Sequence, residues 1–291
     1  CVPTKQLKSA NTDLPSSFNG LPVDTLNSAQ LQWSHFFEDE HLIALIDTAL
    51  ANNQELRIMM QQIDVAQNEV KARKGEYLPF INYGAGAEVE KVGEYTRNGA
   101  VEKNLDIREG EEFPEPLTDY SAGLFATWEL DVWKKLRNSK KAATLEYLST
   151  IEGKNFMVTR LIAEIAQSYY ELIALDNQLT IIEQNLELQG NALTMVRLQK
   201  QAARATELAV KRFEAEVAKN KSHKFEVLQE IVEMENKLNF LVGRQPQHIA
   251  RNSDDFIATA INTIDAGIPS QLLLNRPDIR QAEFELEAAK L

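Results

Sequence analysis

The sequence predicts a mainly α fold with a small β part, in which a long antiparallel coiled-coil hairpin of helices accompanies one β-hairpin. Apolar side chains recur at helical spacing across about 134–201 and again across about 207–241. Two shorter stretches, 81–90 and 120–130, alternate apolar and polar residues as strands do. Only 12 glycines and 9 prolines occur among 291 residues, and this scarcity suits long uninterrupted helices.

The first segment, 1–38, is predicted to be an extended arm, because it is polar and is interrupted by prolines and by Gly20. Cys1 is the only cysteine, so it has no partner for a disulfide within the chain. Bacterial lipoproteins begin with a cysteine that carries lipid, and each buried methylene of an acyl chain contributes about 0.8 kcal/mol to membrane binding. We therefore expect Cys1 to be a lipidation site. The alternative is an arbitrary start of the chain at that residue.

Two helices are predicted within 39–76. The first covers about 39–50 and the second about 54–74, with Asn52-Asn53 as the interruption and Pro79 beyond the end. Their apolar residues at helical spacing are Leu42, Leu45, Ile46 and Ala49 in the first helix, and Leu56, Met59, Met60, Ile63, Ala66 and Val70 in the second.

The segment 77–132 is predicted to be a β-hairpin with a long, charged loop at 91–118. Each strand has about ten residues, which is the length of a tilted strand that crosses a bilayer. The alternative is a soluble antiparallel hairpin that packs on a helix. One face is apolar or small, and it comprises Ile81, Tyr83, Ala85, Ala87 and Val89 with Tyr120, Ala122, Leu124, Ala126, Trp128 and Leu130.

The segment 133–243 is predicted to be a helical hairpin. Its first helix would be roughly 100 Å long at 1.5 Å per residue, which is too long for the core of a compact domain. A break near 204–207 ends that helix, and Thr206 is suited to be the N-cap of the second. Gly243 and Pro246 stop the second helix.

An irregular linker is predicted at 244–275. A further helix then begins at Arg276-Pro277-Asp278, because proline is favoured in the first turn of a helix. Its apolar pattern is still running at Leu291.

No catalytic, cofactor or metal site is predicted. The four histidines have no metal-binding spacing, and no second cysteine is present to assist them. The segment 83–87 lacks the third glycine of a phosphate-binding loop and continues as a strand. A net charge of −12 argues against nucleic acid as a partner. No run of eighteen apolar residues occurs, so no transmembrane helix is predicted.

Short motifs spread along the whole chain match one known family. They are Trp33 and Phe37, Leu45-Ile46, Ala49-Leu50, Asn52-Asn53, Leu56-Arg57, Leu78-Pro79, the run Trp128–Trp133, Leu136–Asn138, Ala166, Tyr169-Tyr170, Leu172, Leu238-Asn239, Leu241–Gly243, Pro246, Leu273-Leu274, Arg276–Ile279 and Ala282-Glu283. With these motifs the chain resembles the TolC-like outer-membrane efflux family, in particular the lipoprotein branch found in tripartite pumps. The match at 273–283 is the most specific.

This resemblance implies a homotrimer in which each protomer adds four strands to one shared transmembrane β-barrel and adds helices to a periplasmic tunnel. It assigns 39–76 to the tunnel helices of a first repeat, 77–132 to a transmembrane β-hairpin and 133–243 to the long periplasmic hairpin. The segment 276–291 would begin a second repeat, of which the remainder is missing.

Two residues depart from the family pattern, and both replace glycine. The glycine expected after the Leu-Asp-aromatic motif is Lys134, and the glycine expected at the helical tip is Ala203. The second change bears on the geometry of the tip and on which adaptor fits it.

The resemblance predicts a passive exit duct anchored in the bacterial outer membrane. Its partners would be a periplasmic adaptor and an inner-membrane pump that supplies the energy. On the strands, Asn82, Glu88, Thr127 and Glu129 would face the lumen. The lipid-facing residues would be Ile81, Tyr83, Ala85, Val89, Leu124 and Trp128, and the adaptor-docking tip would be Ala203, Arg204, Ala205, Thr206, Glu207 and Leu208.

Two other functions remain as alternatives. A periplasmic coiled-coil adaptor or scaffold would also carry a helical hairpin, but it would be flanked by lipoyl-like β halves that this sequence lacks. An enzyme subunit with a helical-hairpin insertion would need a catalytic site, and the sequence offers none.

Overall fold

A computed structural model describes residues 13–15, 32–253, 273 and 275–291 of the chain. Its helices are α1 (Trp33–Phe36), α2 (Glu40–Asn52), α3 (Gln54–Glu76), α4 (Arg97–Asn104), α5 (Lys135–Gln201), α6 (Glu207–Val242) and α7 (Pro277–Ala289). Its strands are β1 (Phe80–Glu90), β2 (Asp106–Arg108), β3 (Glu111–Glu112) and β4 (Leu117–Thr127). The predicted fold class, mainly α with a small β part, is confirmed.

The chain divides into two compact units. The first comprises Cys1–Gln67 and Leu145–Lys290, and the second comprises Asn68–Thr144 together with Leu291. Cys1 lies outside the described residues, so its lipidation stays a prediction. The end of the predicted extended arm is helical, because Trp33–Phe36 forms α1.

The core of the first unit forms where α2 packs with α5 and the end of α6. Apolar residues three and four apart in α2 share one face of the helix, so one stripe of side chains is buried. Burial of such side chains contributes roughly 25 cal/mol for each square ångström of apolar surface removed from water. The largest fully buried apolar side chains here are Leu42, Ile46, Ile165, Tyr169, Leu172, Val227, Leu238, Val242 and Ile249.

Asp39 joins the start of α2 to α5. Its carboxylate accepts hydrogen bonds from the amides of His41 and Leu42 at 2.8 and 3.2 Å, as an N-cap does. Its other oxygen accepts the Tyr169 hydroxyl at 2.8 Å. Burial, together with this hydrogen bond, raises the pKa of Tyr169. The phenol therefore stays neutral and satisfied within the core.

The helices α5 and α6 form the predicted antiparallel hairpin. An ion pair joins Glu164 to Lys237 at 3.7 Å, and another joins Arg197 to Glu214 at 2.8 Å. The position along α5 rises between these pairs as the position along α6 falls, which defines an antiparallel arrangement. The N-cap predicted at Thr206 is confirmed, because its side chain accepts the amide of Ala209 at 3.2 Å.

The first part of the predicted irregular linker packs into the core. Ile249 is 0% exposed, and the Arg251 guanidinium binds Asp176 through two nitrogens at 2.5 and 2.8 Å. The same guanidinium donates to Glu235 at 2.5 Å and to the Ile249 carbonyl at 2.9 Å. We call Arg251, Asp176 and Glu235 the clasp, because they fasten 249–253 across α5 and α6. Of the rest of that linker, 254–272 and 274 lie outside the described residues, whereas Leu273 and Asn275 are helical and not irregular as predicted.

Asn53 holds the junction between α2, α3 and α6. Its side-chain oxygen accepts the Leu56 amide at 3.0 Å and so caps α3. Its side-chain nitrogen donates to the Leu241 carbonyl at 2.8 Å. This carbonyl is in the last turn of α6, where carbonyls have no donor within the helix. The side chain is buried, so one amide satisfies two helix termini away from water.

In the second unit, β1 and β4 pair antiparallel in continuous register from Phe80↔Thr127 to Glu90↔Leu117. The second strand was predicted over 120–130 and therefore ends three residues earlier than expected. The reason is Asp131, which accepts the amides of Leu136 and Arg137 at 3.1 and 3.0 Å and caps α5. The chain must turn before it reaches that cap. The apolar residues after Thr127 continue the alternation but belong to the turn.

The loop predicted at 91–118 is charged and exposed, but it contains secondary structure. It holds α4, the β2–β3 pair and the first residues of β4. Thr96 caps α4 by accepting the Gly99 amide at 3.2 Å, and Lys103 forms an ion pair with Glu94. The sequence signal for these short elements is weak, because α4 and β2–β3 bury almost no apolar surface.

None of the helices in the described residues is both long and apolar enough to cross a membrane.

Candidate functional site

The turn between α5 and α6 brings the predicted tip residues together in one exposed segment. The amide of Ala203 donates to the Lys200 carbonyl at 2.9 Å, and the amide of Arg204 donates to the Gln199 carbonyl at 2.8 Å. This pair of bonds is a Schellman motif, in which the last helical carbonyls are satisfied by the residues that leave the helix. The backbone at the start of the tip is therefore fixed by hydrogen bonds.

The motif places Ala203 in the left-handed region, with φ of 56°. Glycine is the residue that adopts this conformation without steric cost, and an L-residue with a Cβ pays about 1–2 kcal/mol. Lys134, before α5, is the other described non-glycine residue with positive φ, at 61°. Both positions at which the resemblance led us to expect glycine therefore have a backbone that favours glycine.

Ion pairs hold the two helices together just behind the turn. Glu214 accepts hydrogen bonds from Arg197 at 2.8 Å across the hairpin and from Lys211 at 2.9 Å within α6. These two bonds lower the pKa of Glu214 from 4.5 to about 2, and the bond from Lys211 has the larger effect. Lys200 pairs with Glu207, and this hydrogen bond lowers the pKa of Glu207. Two ion pairs, Arg197–Glu214 and Lys200–Glu207, thus join α5 to α6 next to the turn.

Most of the predicted tip residues are accessible. Ala203, Arg204, Thr206, Glu207 and Leu208 are exposed. Leu208 is 77% exposed, although it is a large apolar side chain in the first turn of a helix. Ala205 is half-buried. The turn therefore exposes a mixture of apolar and charged groups.

The β1–β4 register places five of the six predicted lipid-facing residues on one face of the sheet. Tyr83 lies directly opposite Leu124, and paired residues of antiparallel strands point to the same side. Ile81, Ala85 and Val89 alternate with polar residues along β1 and share that side. Tyr83 and Leu124 are 87% and 79% exposed in this chain. The pair therefore forms the centre of an uncovered apolar face.

Trp128 was predicted to be a strand residue of this face, but β4 ends at Thr127, and whether the Trp128 side chain faces lipid stays a prediction. It follows the last residue of β4, and its indole nitrogen donates to the Tyr77 carbonyl at 3.1 Å. Glu129, predicted to face a lumen, also lies beyond the strand and approaches Lys135 at 3.8 Å. The turn required by the Asp131 cap displaces both side chains from the sheet.

The opposite face of the sheet is mostly polar and small, with Phe80, Leu117 and Phe125 as its large apolar members. Glu88 lies directly opposite Asp119 on this face, and the described strands β1 and β4 contain no basic residue. The Phe125 ring covers the places where side chains at Gly84 and Gly123 would stand, at 3.4 and 3.3 Å from the ring. The two faces of the hairpin thus differ as the sequence predicted.

Sequence reasoning did not assign a role to Asp131, although its motif was part of the resemblance. Its carboxylate is almost inaccessible and also accepts the Arg137 guanidinium at 3.1 Å. The amides of Leu136 and Arg137 and the Arg137 guanidinium therefore all donate to this one carboxylate. An aspartate a few residues before a long helical pattern is the signal that identifies such a cap.

In the described ranges, no three His, Cys, Asp or Glu side chains are grouped so that they could hold a metal ion. An uncovered apolar face on paired strands is the pattern that proteins inserted into membranes through β-strands also show.

The sequence profile of the family described as outer membrane efflux protein matches residues 45–244, and the chain belongs to this family. The family resemblance predicted from the sequence is thereby confirmed, and so is the prediction that the chain is not an enzyme.

Two curated relatives illustrate the match. The toluene efflux pump outer membrane protein TtgI of Pseudomonas putida is 27% identical over 256 residues, which cover 87% of this chain and 52% of that protein. The cation efflux system protein CusC of Escherichia coli is 29% identical over 276 residues, covering 94% of this chain and 56% of that protein. The chain thus spans about half the length of the curated relatives it matches.

Among solved structures, the fold is similar to that of the open state of the Neisseria gonorrhoeae MtrE outer membrane channel. The TM-score is 0.80 at 22% identity, and the alignment covers 98% of this chain and 60% of that channel. At this identity the similarity concerns the fold.

Proposed function

We propose that this chain is part of a subunit of an outer-membrane exit duct in a tripartite efflux system. The duct conducts small molecules passively across the periplasm and the outer membrane. The observation that carries this proposal is the uncovered apolar face around Tyr83 and Leu124, on an 11-residue strand pair in a member of the outer membrane efflux protein family. Two antiparallel strands alone leave open edges, which lipid does not tolerate. The strands of three protomers would close a shared barrel.

In this proposal the apolar face contacts lipid and the polar face lines the lumen. Ile81, Tyr83, Ala85, Val89 and Leu124 point to the bilayer, and the side that carries Asn82, Glu88 and Thr127 meets water. Large apolar side chains then leave water, while charged side chains keep their hydration. The assignment therefore avoids both the exposure of apolar side chains to water and the burial of charged side chains in lipid.

The helical hairpin of α5 and α6 would extend into the periplasm and contribute to a tunnel. Its tip, 203–208, would dock on a periplasmic adaptor, which links the duct to an inner-membrane pump. The transport energy would come from that pump. The exposure of Leu208 and Arg204 at a turn fixed by hydrogen bonds supports the docking role.

Fractionation of the full-length protein, followed by native mass spectrometry of the detergent extract, tests the proposal. We expect the protein in the outer-membrane fraction with the mass of a trimer. A monomer in the soluble periplasmic fraction would contradict the duct and would favour a coiled-coil scaffold.

Single cysteines on neighbouring residues test the assignment of the two faces. In liposomes, Tyr83→Cys should resist a water-soluble maleimide, and Asn82→Cys should react, because adjacent strand residues point to opposite sides. The parent protein gives the background from Cys1. Equal labelling of both variants would refute a lipid-facing side.

A further inference from the structure

The tip has a charge opposite to that of the rest of the chain. We define the tip segment as Arg197–Glu214, which is closed by the ion pair between its first and last residues. It contains five basic and two acidic residues, so its net charge is +3, whereas the whole chain has a net charge of −12. A local positive field on an acidic protein attracts and orients an anionic partner.

Both acidic residues of the tip segment are already paired within it. Glu214 binds Arg197 and Lys211, and Glu207 binds Lys200. Arg204 and Arg212 form no ion pair with any residue that the structure describes. The internal pairs therefore leave Arg204, within the turn itself, as a guanidinium whose charge is available.

The turn holds the backbone of Arg204 in one position. Its amide closes the Schellman motif at the Gln199 carbonyl, and Thr206 caps the next helix two residues later. A fixed backbone reduces the entropy that binding must remove, which favours a specific contact. Arginine is also the side chain that binds a carboxylate through two parallel hydrogen bonds.

Apolar surface accompanies this charge. Leu208 lies four residues beyond Arg204 and is 77% exposed, and Leu198 on the other helix is 57% exposed. An arginine beside uncovered leucines provides both the anchor and the apolar contact that protein interfaces combine.

We propose that the tip selects an adaptor whose own docking end presents an aspartate or glutamate to Arg204, with apolar side chains against Leu198 and Leu208. This inference rests on the proposed function, because it specifies the chemistry of the partner that docks at the tip. The like-charged alternative, an adaptor with a basic docking end, would meet repulsion at Arg204 and would be rejected.

An anionic lipid surface is the competing partner for a basic segment. Lipid recognition of this kind uses clusters of about 4–8 basic residues that adapt to a fluid surface. The tip offers Arg204 and Arg212 as unpaired cations among the described residues, on a turn with a fixed backbone. A folded protein with a matching carboxylate suits this arrangement better.

The test begins with the full-length protein and a photo-cross-linking amino acid in place of Leu208. The periplasmic adaptor captured in cells is then purified, and its affinity for the full-length protein is measured at low and high salt. We expect Arg204→Glu to weaken binding at least about tenfold at low salt, with a smaller loss at high salt. Arg57→Glu, an exposed arginine on α3, is the matched control and should leave the affinity unchanged.

A second variant tests contact with a carboxylate directly. Arg204→Lys keeps the charge and supplies an amine, which a carbodiimide joins to a carboxylate in contact with it. We expect a cross-link between residue 204 and an Asp or Glu of the adaptor.

The outcomes separate this inference from the proposed function. Capture at position 208 with no charge effect and no carbodiimide product would overturn the acidic partner but leave the docking role. The absence of any adaptor at position 208, or capture of lipid there instead, would overturn both.

Discussion

Ala203 and Gly243 occupy the same position in the same helix-ending motif, one after α5 and the other after α6. Their φ angles are 56° and 75°, and in each case the residue's own amide donates to the carbonyl three residues earlier. One site has the residue that this conformation favours, and the other does not. The comparison predicts opposite effects of substitution at the two sites.

Ala203→Gly should stabilise the helical hairpin by about 0.5–1 kcal/mol, because relief of the left-handed strain exceeds the entropy that glycine adds to the unfolded chain. Thermal unfolding of the full-length protein in detergent, followed by circular dichroism, measures the shift. Ala202→Gly, one residue earlier, has no positive φ and should lower the melting temperature. A lower melting temperature for Ala203→Gly would show that the positive φ at Ala203 does not destabilise the folded protein.

Gly243→Ala should destabilise the protein by more than Ala203→Gly stabilises it. A Cβ at this position would lie 2.6 Å from the Asn52 carbonyl oxygen, in addition to the conformational cost. The same melting experiment checks the prediction. A neutral result would mean that the α2–α6 junction separates easily.

Asn53→Ala should destabilise the protein by about 1–3 kcal/mol, because it leaves the Leu241 carbonyl and the Leu56 amide without their buried partner. Gln54→Ala is the matched control, since Gln54 is exposed in the next position. Equal melting temperatures for the two variants would contradict the bridging role of Asn53.

Arg251→Met should destabilise the protein by about 3 kcal/mol, because it removes the guanidinium to which both Asp176 and Glu235 are bound. The side chain of Arg251 is 8% exposed, so water replaces it poorly. Arg57→Met alters an exposed arginine and should have little effect. Limited proteolysis after residue 251 offers a second readout, which should accelerate only in the Arg251 variant.

Acid should weaken the tip through Glu214. Its pKa is 4.5 ordinarily and about 2 in the folded protein, so the folded state prefers the ionised form. The stabilisation is therefore complete above about pH 4.5 and is lost as the pH falls towards 2. The melting temperatures of the parent and of Glu214→Gln should differ at pH 6 and converge near pH 2. Glu216→Gln, exposed on the same helix, should show no such convergence.

The long helices were predictable because their signals are long. The apolar pattern from Lys135 to Gln201 repeats over many turns, and Thr206, Gly243 and Pro277 mark helix boundaries by residue type alone. The two faces of the hairpin were predictable for the same reason, since alternation over ten residues is a strong signal.

Other features depend on partners that are distant in sequence. The end of β4 is set by the Asp131 cap and not by the alternation, which continues to Leu130. The packing of Arg251 depends on Asp176, 75 residues away, so no local pattern reveals that the predicted linker enters the core. At the tip, the residues were predicted, but the free charge of Arg204 emerges only when the ion pairs around it are known.

The two hydrogen bonds of the Asn53 side chain, one to each helix end, also determine how the junction of α2, α3 and α6 responds to deamidation. Deamidation would replace its nitrogen donor with a carboxylate oxygen, which would then face the Leu241 carbonyl with no hydrogen to share. Asparagine is one of the thermolabile side chains, and its loss proceeds through a rearrangement of its own backbone. Burial between two helix termini withholds that freedom in the folded protein. The folded state thus protects Asn53 from deamidation. The fraction of chains deamidated at Asn53 would therefore increase with the time that the protein has spent unfolded.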